Sequence, residues 1–168
     1  IQTVKAANDQ LQYAVIGTGG RGTYHIVHWN GLDVGRCMAV CDIDDANLKK
    51  GQSLSKDKPE AYKDYREVLA RKDIEAVLIA TPLYTHFPIT KDALLAGKHV
   101  FCEKSLVFTP AEVHELRKTK IDDITVLRHV RPHAQRQAAE EIADRTPCED
   151  FDRFQPLFVC VERELSES

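Results

Sequence analysis

The stretch "LQYAVIGTGGRG", Leu11 to Gly22, decides how the rest of the chain is read. Its first seven residues are a short apolar run ending in glycine, the pattern of a buried strand. Arg21 to Asn30 then reads as a helix with Ile26 and Val27 toward a core. Between the two lies Gly17-x-Gly19-x-x-Gly22, and each glycine has a physical reading. Gly17 permits a tight turn, Gly19 lets the backbone approach a diphosphate, and Gly22 lets helix and strand pack closely. Free N–H groups at the helix start then attract phosphate. The whole turn, Gly17, Thr18, Gly19, Gly20, Arg21 and Gly22, is the expected phosphate-binding segment.

Working outward, "RCMAVCD" (36–42) reads as a second strand, and Asp42 ends it twenty residues past Gly22. An acid at that place accepts hydrogen bonds from the hydroxyls of an adenosine ribose. Its charge also repels a 2′-phosphate, so NAD is favoured over NADP. Arg21, Lys49 and Lys50 are the nearby cations that such a phosphate would need.

The alternation continues. Asp44 or Asp45 caps a helix through Leu54, because a short carboxylate satisfies free N–H groups there. "EAY" (60–62) is a brief third strand, and Tyr65 to Ala70 supplies one or two helical turns. "IEAVLIAT" (74–81) is the clearest strand, and Pro82 ends its ladder because proline has no N–H. Phe87 to Ala96 reads as a helix with Pro88 in its first turn and Gly97 at its C-terminal end. "HVFC" (99–102) is the next strand. Thr109 caps a helix starting at Pro110, with Glu112 placed to complete a capping box. "ITVL" (124–127) is a sixth strand, and Pro132 to Arg145 a final helix. Strands and helices alternating in this way indicate an α/β fold, a doubly wound parallel sheet with helices on both faces. Ligands of such sheets bind beyond the carboxyl ends of the strands. The glycine-rich turn, Thr81-Pro82 and Glu103-Lys104 all leave strands at that edge.

Composition excludes several function classes. The chain has 168 residues and net charge −3, so electrostatics give no case for nucleic acid or an anionic membrane. No run of about 18 apolar residues is present, so no helical span is expected. The first residue is Ile1, and residues 1–10 are polar and aperiodic, which reads as a leader stub. A cytoplasmic location is expected, with a periplasmic one after removal of an export signal as the alternative. The five cysteines follow no disulfide framework. Cys37 and Cys41 lie roughly 13 Å apart on an unbroken strand, too far to share one zinc, so no metal is expected. His25 and His28 share a helix face but lack an evident third ligand, and Trp29 reads as packing.

The motifs "AVIGTGGRG", "AVCDID", "ATPLYTHFPITKDALLAGKHVFCEK" and "TPAEVHEL" together resemble the Gfo/Idh/MocA family, the glucose-fructose oxidoreductases and inositol dehydrogenases, over about residues 11 to 117. The resemblance implies a Rossmann fold that binds NAD. It also implies hydride transfer with a sugar-like or cyclitol substrate, and a possible homo-oligomer. Thr81 and Pro82 would line the cofactor pocket. Glu103 would contact the nicotinamide ribose, and Lys104 would assist proton transfer as the catalytic residue. His86 matches a position often held by histidine near the nicotinamide, although capping the next helix is an equal reading. A glycosidase that uses NAD within the same family is the alternative the resemblance allows, and a non-catalytic dinucleotide-binding module is the alternative that a missing substrate domain favours.

Two departures from the family pattern stand out. The family's Glu-Lys-Pro is Glu103-Lys104-Ser105 here. A cis bond before a non-proline residue costs about 2.5–4 kcal/mol, so a trans Lys104–Ser105 peptide is expected. Family members also carry a second α+β domain, and nothing in this chain is long enough to be one. The expected organisation is therefore a dinucleotide-binding domain over 11–145 and a tail over 146–168, with the second domain absent or truncated.

Overall fold

The computed structural model describes residues 10–31, 35–119 and 126–128. Six strands form one sheet: β1 (Leu11–Ile16), β2 (Gly35–Cys41), β3 (Glu60–Tyr62), β4 (Ala76–Ile79), β5 (His99–Cys102) and β6 (Val126–Arg128). Their order is β3-β2-β1-β4-β5-β6, and every pairing is parallel. The order reverses between β1 and β4, where sheets of this kind open a crevice. Five helices connect the strands: α1 (Gly20–Asn30), α2 (Asp45–Leu54), α3 (Tyr65–Ala70), α4 (His86–Leu95) and α5 (Pro110–Lys118).

Strand pleating divides the core in two, because successive side chains point to opposite faces. Tyr13 and Val15 of β1 pack with Ile26 of α1 and Leu48 of α2. Ala14 and Ile16 pack on the other side with Val68 and Leu69 of α3 and Ile89 and Ala93 of α4. Trp29 joins the first group edge-on to Tyr13 and Phe101, with ring centroids 5.1 and 5.7 Å away, so the packing reading of that residue fits.

A bulge in β2 is a feature that apolar patterning does not reveal. Tyr13 pairs with Cys37 but Ala14 pairs with Ala39, which leaves Met38 extra. A single extra residue reverses the alternation beyond it. Cys37 accordingly lies on the face of Ile26, and Cys41 on the face of Val68.

The helix ends follow the expected chemistry. Asp44 Oδ1 accepts from the N–H groups of Ala46 and Asn47. Thr109 and Glu112 make the reciprocal capping box before α5, and Gly97 has a positive φ of 73° after α4. A short 3₁₀ turn, Leu83–Thr85, precedes α4 and was not expected. The sixth strand begins at Val126, while residues 124–125 of its expected range, the helix over 132–145, the tail over 146–168 and nearly all of the leader lie outside the described residues. Among the described residues, no helix is long and apolar enough to cross a membrane.

Candidate functional site

Three loops meet at the carboxyl edge of the sheet, and backbone hydrogen bonds hold each in place. Gly17 N–H donates to Cys41 O at 2.8 Å, Ala80 N–H to Ile16 O at 2.8 Å, and Glu103 N–H to Ile79 O at 3.0 Å. The turn after β1 is thereby tied to β2 and β4, and the loop after β5 to β4.

The glycines divide into packed and open positions. A Cβ on Gly22 would stand 1.8 Å from Gly17 O, and one on Gly17, with φ +90°, would stand 2.7 Å from the Ala80 carbonyl carbon. Neither position accepts any side chain. Beside Gly19 a Cβ would find only an Asn47 side-chain atom at 3.9 Å, and beside Gly20 nothing within 4 Å. The turn therefore packs tightly on its protein side and leaves its other side bare. A diphosphate needs such a cradle, at the start of an 11-residue helix whose free N–H groups carry partial positive charge.

Asp42 acts on this turn directly. Its Oδ2 accepts from Thr18 N–H at 2.8 Å and its Oδ1 from Asp44 N–H at 2.9 Å. Thr18 is fully buried, and its hydroxyl donates to Asn47 O at 3.0 Å. Gly51 of α2 makes room for it, since a Cβ there would fall 2.7 Å from Thr18 Cγ2. A carboxylate offers about four acceptor sites, so Asp42 keeps capacity for a further donor.

Glu103 is buried at the end of β5, with only 6% exposure. Its Oε1 accepts from Arg21 Nε at 3.1 Å, from Arg21 Nη2 at 2.8 Å and from His25 Nε2 at 2.5 Å. A carboxylate only accepts, so Nε2 carries the imidazole proton. Burial alone would raise the Glu103 pKa. The His25 hydrogen bond and charge, followed by those of Arg21, outweigh it and hold the group at about 2. Lys104, the next residue, is exposed.

His86, the first residue of α4, is 1% exposed and bridges two loops. Its Nε2 lies 2.8 Å from Thr81 O and its Nδ1 2.9 Å from Ser105 O. The Lys104–Ser105 peptide between these anchors is cis, which corrects the trans expectation. The carbonyl of Ser105 meets a ring contributed from nineteen residues earlier, a tertiary contact that a rule for isolated peptides does not include. Thr81 is half-buried and Pro82 exposed beside them.

Residues 11–128 match the model of the Gfo/Idh/MocA family, an oxidoreductase family with an NAD-binding Rossmann fold. The chain belongs to that family. A glycosyl hydrolase family 109 protein of Shewanella sp. (strain ANA-3) is 34% identical over 119 residues, which cover 66% of this chain and 26% of the relative. The chain thus spans about a quarter of the length of such curated relatives. An NAD-binding protein from Listeria innocua is 31% identical with a TM-score of 0.62, over 72% of this chain and 35% of its own. A myo-inositol 2-dehydrogenase from Lactobacillus plantarum is 25% identical with a TM-score of 0.65, over 81% of this chain and 41% of its own.

Within this Gfo/Idh/MocA domain, the expected site residues occupy one edge of the sheet, with distinct surroundings. Gly17, Gly22 and Thr18 are packed inward, while Gly20, Arg21 and Lys104 face outward. His86 is enclosed by backbone carbonyls rather than lying open. Sequence reasoning missed His25 as a partner of Glu103 and Thr18 as the buried pin between the turn and α2. One signal for Thr18 was available. Gly51 sits inside a helix, where glycine costs about 1 kcal/mol against alanine, and such a glycine marks a close approach.

Proposed function

We propose that this chain is the dinucleotide-binding part of an oxidoreductase that moves hydride between a sugar or cyclitol hydroxyl and NAD. The observation that carries the reading is the turn from Gly17 to Gly22, packed on one side and bare on the other at the start of α1. The backbone of Gly19 and Gly20 would receive the diphosphate, and Asp42 the adenosine ribose. Thr81 and Pro82 would border the nicotinamide. Bound NAD supplies the hydride acceptor.

Lys104 is exposed just past β5. Its Nζ would orient a substrate hydroxyl by hydrogen bonding and take up its proton as a general base. His86 ties the loop after β4 to the segment that carries this lysine, through Thr81 O and Ser105 O. The preference for NAD rests on Asp42, whose charge opposes a 2′-phosphate. The commitment of Arg21 to Glu103 supports it. Glu103 lies at the end of β5 and Asp42 at the end of β2, three strand spacings apart, roughly 14 Å at about 4.8 Å each.

A second reading has its own support. The 34% identity to a glycosyl hydrolase family 109 protein favours a glycosidase that uses the same cofactor without net redox change. The test sets the two side by side with the chain and added NAD. Rising NADH absorbance with a cyclitol and polyol panel supports dehydrogenation. Nitrophenol release from aryl glycosides without NADH accumulation supports the glycosidase. NAD binding with neither activity leaves a binding module.

A further inference from the structure

A buried ionic cluster joins the end of β5 to α1. Glu103 is 6% exposed, and its Oε1 takes all three hydrogen bonds from α1, two from Arg21 and one from His25. Arg21 stands in the first turn of that helix, where the diphosphate would lie, and its side chain is 51% exposed. Its Nη1 receives no partner among the described residues, and the guanidinium carbon sits 5.0 Å from the Tyr24 ring centroid. A long, flexible cation is thus held in one direction by a carboxylate 82 residues away. Arg21 and His25 share that single oxygen through three N–H groups, while Nη1 of Arg21 stays available to a further acceptor.

We infer that Glu103 is a positioning residue: it fixes Arg21 as a cationic contact for the cofactor's diphosphate, with His25 bracing the carboxylate from beneath, rather than binding the nicotinamide ribose itself. This rests on the dinucleotide reading above. It differs from the role that family resemblance implies for Glu103, and the two make opposite statements about ADP, which has a diphosphate but no nicotinamide ribose. Pre-orienting a rotamer-rich side chain before binding removes an ordering cost that the ligand would otherwise meet. The ionised state of Glu103 at neutral pH agrees with its part.

The test is a double-mutant cycle on the full 168-residue chain, titrated separately with NAD and with ADP. Arg21→Met and Glu103→Gln should each weaken both ligands by the same factor, about tenfold, the worth of one charge-assisted hydrogen bond. The double variant should bind no more weakly than Arg21→Met alone. A Glu103→Gln loss seen with NAD but not with ADP overturns the inference in favour of direct ribose contact. A loss that adds to that of Arg21→Met overturns it in favour of general loosening of the fold. Arg21 is half-exposed, so Arg21→Met decides the matter even if Glu103→Gln fails to fold: unchanged ADP affinity in that variant overturns the inference. A parent chain that binds neither ligand overturns the dinucleotide reading itself, and this inference with it.

Discussion

The backbone N–H of Thr18 points at the carboxylate of Asp42 from 2.8 Å, joining the glycine-rich turn to the end of β2. The acid expected to read a ribose therefore also shapes the cradle beside it. Binding and folding are coupled at this residue. A substitution that removes cofactor affinity here also loosens the turn, and the two effects need separate measurement.

Asp42→Ala leaves two backbone donors, Thr18 N–H and Asp44 N–H, without their acceptor. The expected cost is about 1–3 kcal/mol, since Thr18 is buried. Thermal unfolding of the cofactor-free chain should show the loss directly. With ligands, the same variant should narrow the preference for NAD over NADP.

Gly22→Ala and Gly20→Ala, two residues apart, should behave oppositely. At Gly22 the new methyl would collide with Gly17 O. Overpacking against backbone costs typically about 1–3 kcal/mol or more. At Gly20 a methyl meets nothing within 4 Å, so stability should change by about 1 kcal/mol or less, in the stabilising direction through the unfolded chain. Denaturant midpoints for the pair measure the contrast.

Acid stability should report on Glu103. Its pKa is depressed from 4.5 to about 2 in the fold, so its ionised form stabilises the native state. That contribution is fully present above pH 4.5 and is lost as pH falls through 2. It amounts to on the order of 3 kcal/mol at about 1.4 kcal/mol per unit. Glu103→Gln should flatten the slope of stability against pH inside that window.

Cys37, Cys41 and Cys102 are buried, and burial is the main cause that pushes each thiol up to about 12. The thiolate is the reactive form, so at pH 8 these three should resist alkylation by iodoacetamide in the folded chain and label fully in urea. Peptide mapping by mass spectrometry reads each one. Rapid native labelling of Cys102 would contradict the packing of β5.

Periodic features were legible in advance. Strands β3 and β5, the Thr109 capping box and the glycine-rich turn all follow from spacing that local chemistry explains. The bulge at Met38 was not legible, because an extra residue in an apolar strand leaves the composition unchanged and alters only the pairing. Long-range polar contacts were hidden for a similar reason. Nothing near Glu103 in sequence says that its partners are Arg21 and His25, and nothing near Ser105 says that His86 meets its carbonyl. The sequence marked these positions as candidates, and only the fold supplied their neighbours.

The central claim is that the bare face of the glycine-rich turn receives NAD. An NAD titration of the chain by calorimetry, alongside Gly19→Ala, tests it most directly. A methyl at Gly19 meets only a side-chain atom at 3.9 Å, so folding should be preserved while the approach of a diphosphate is blocked. Saturable one-to-one binding by the parent, weakened about tenfold or more in the variant at an unchanged melting temperature, is the predicted result. No binding by the parent, or equal binding by both chains, would contradict the account.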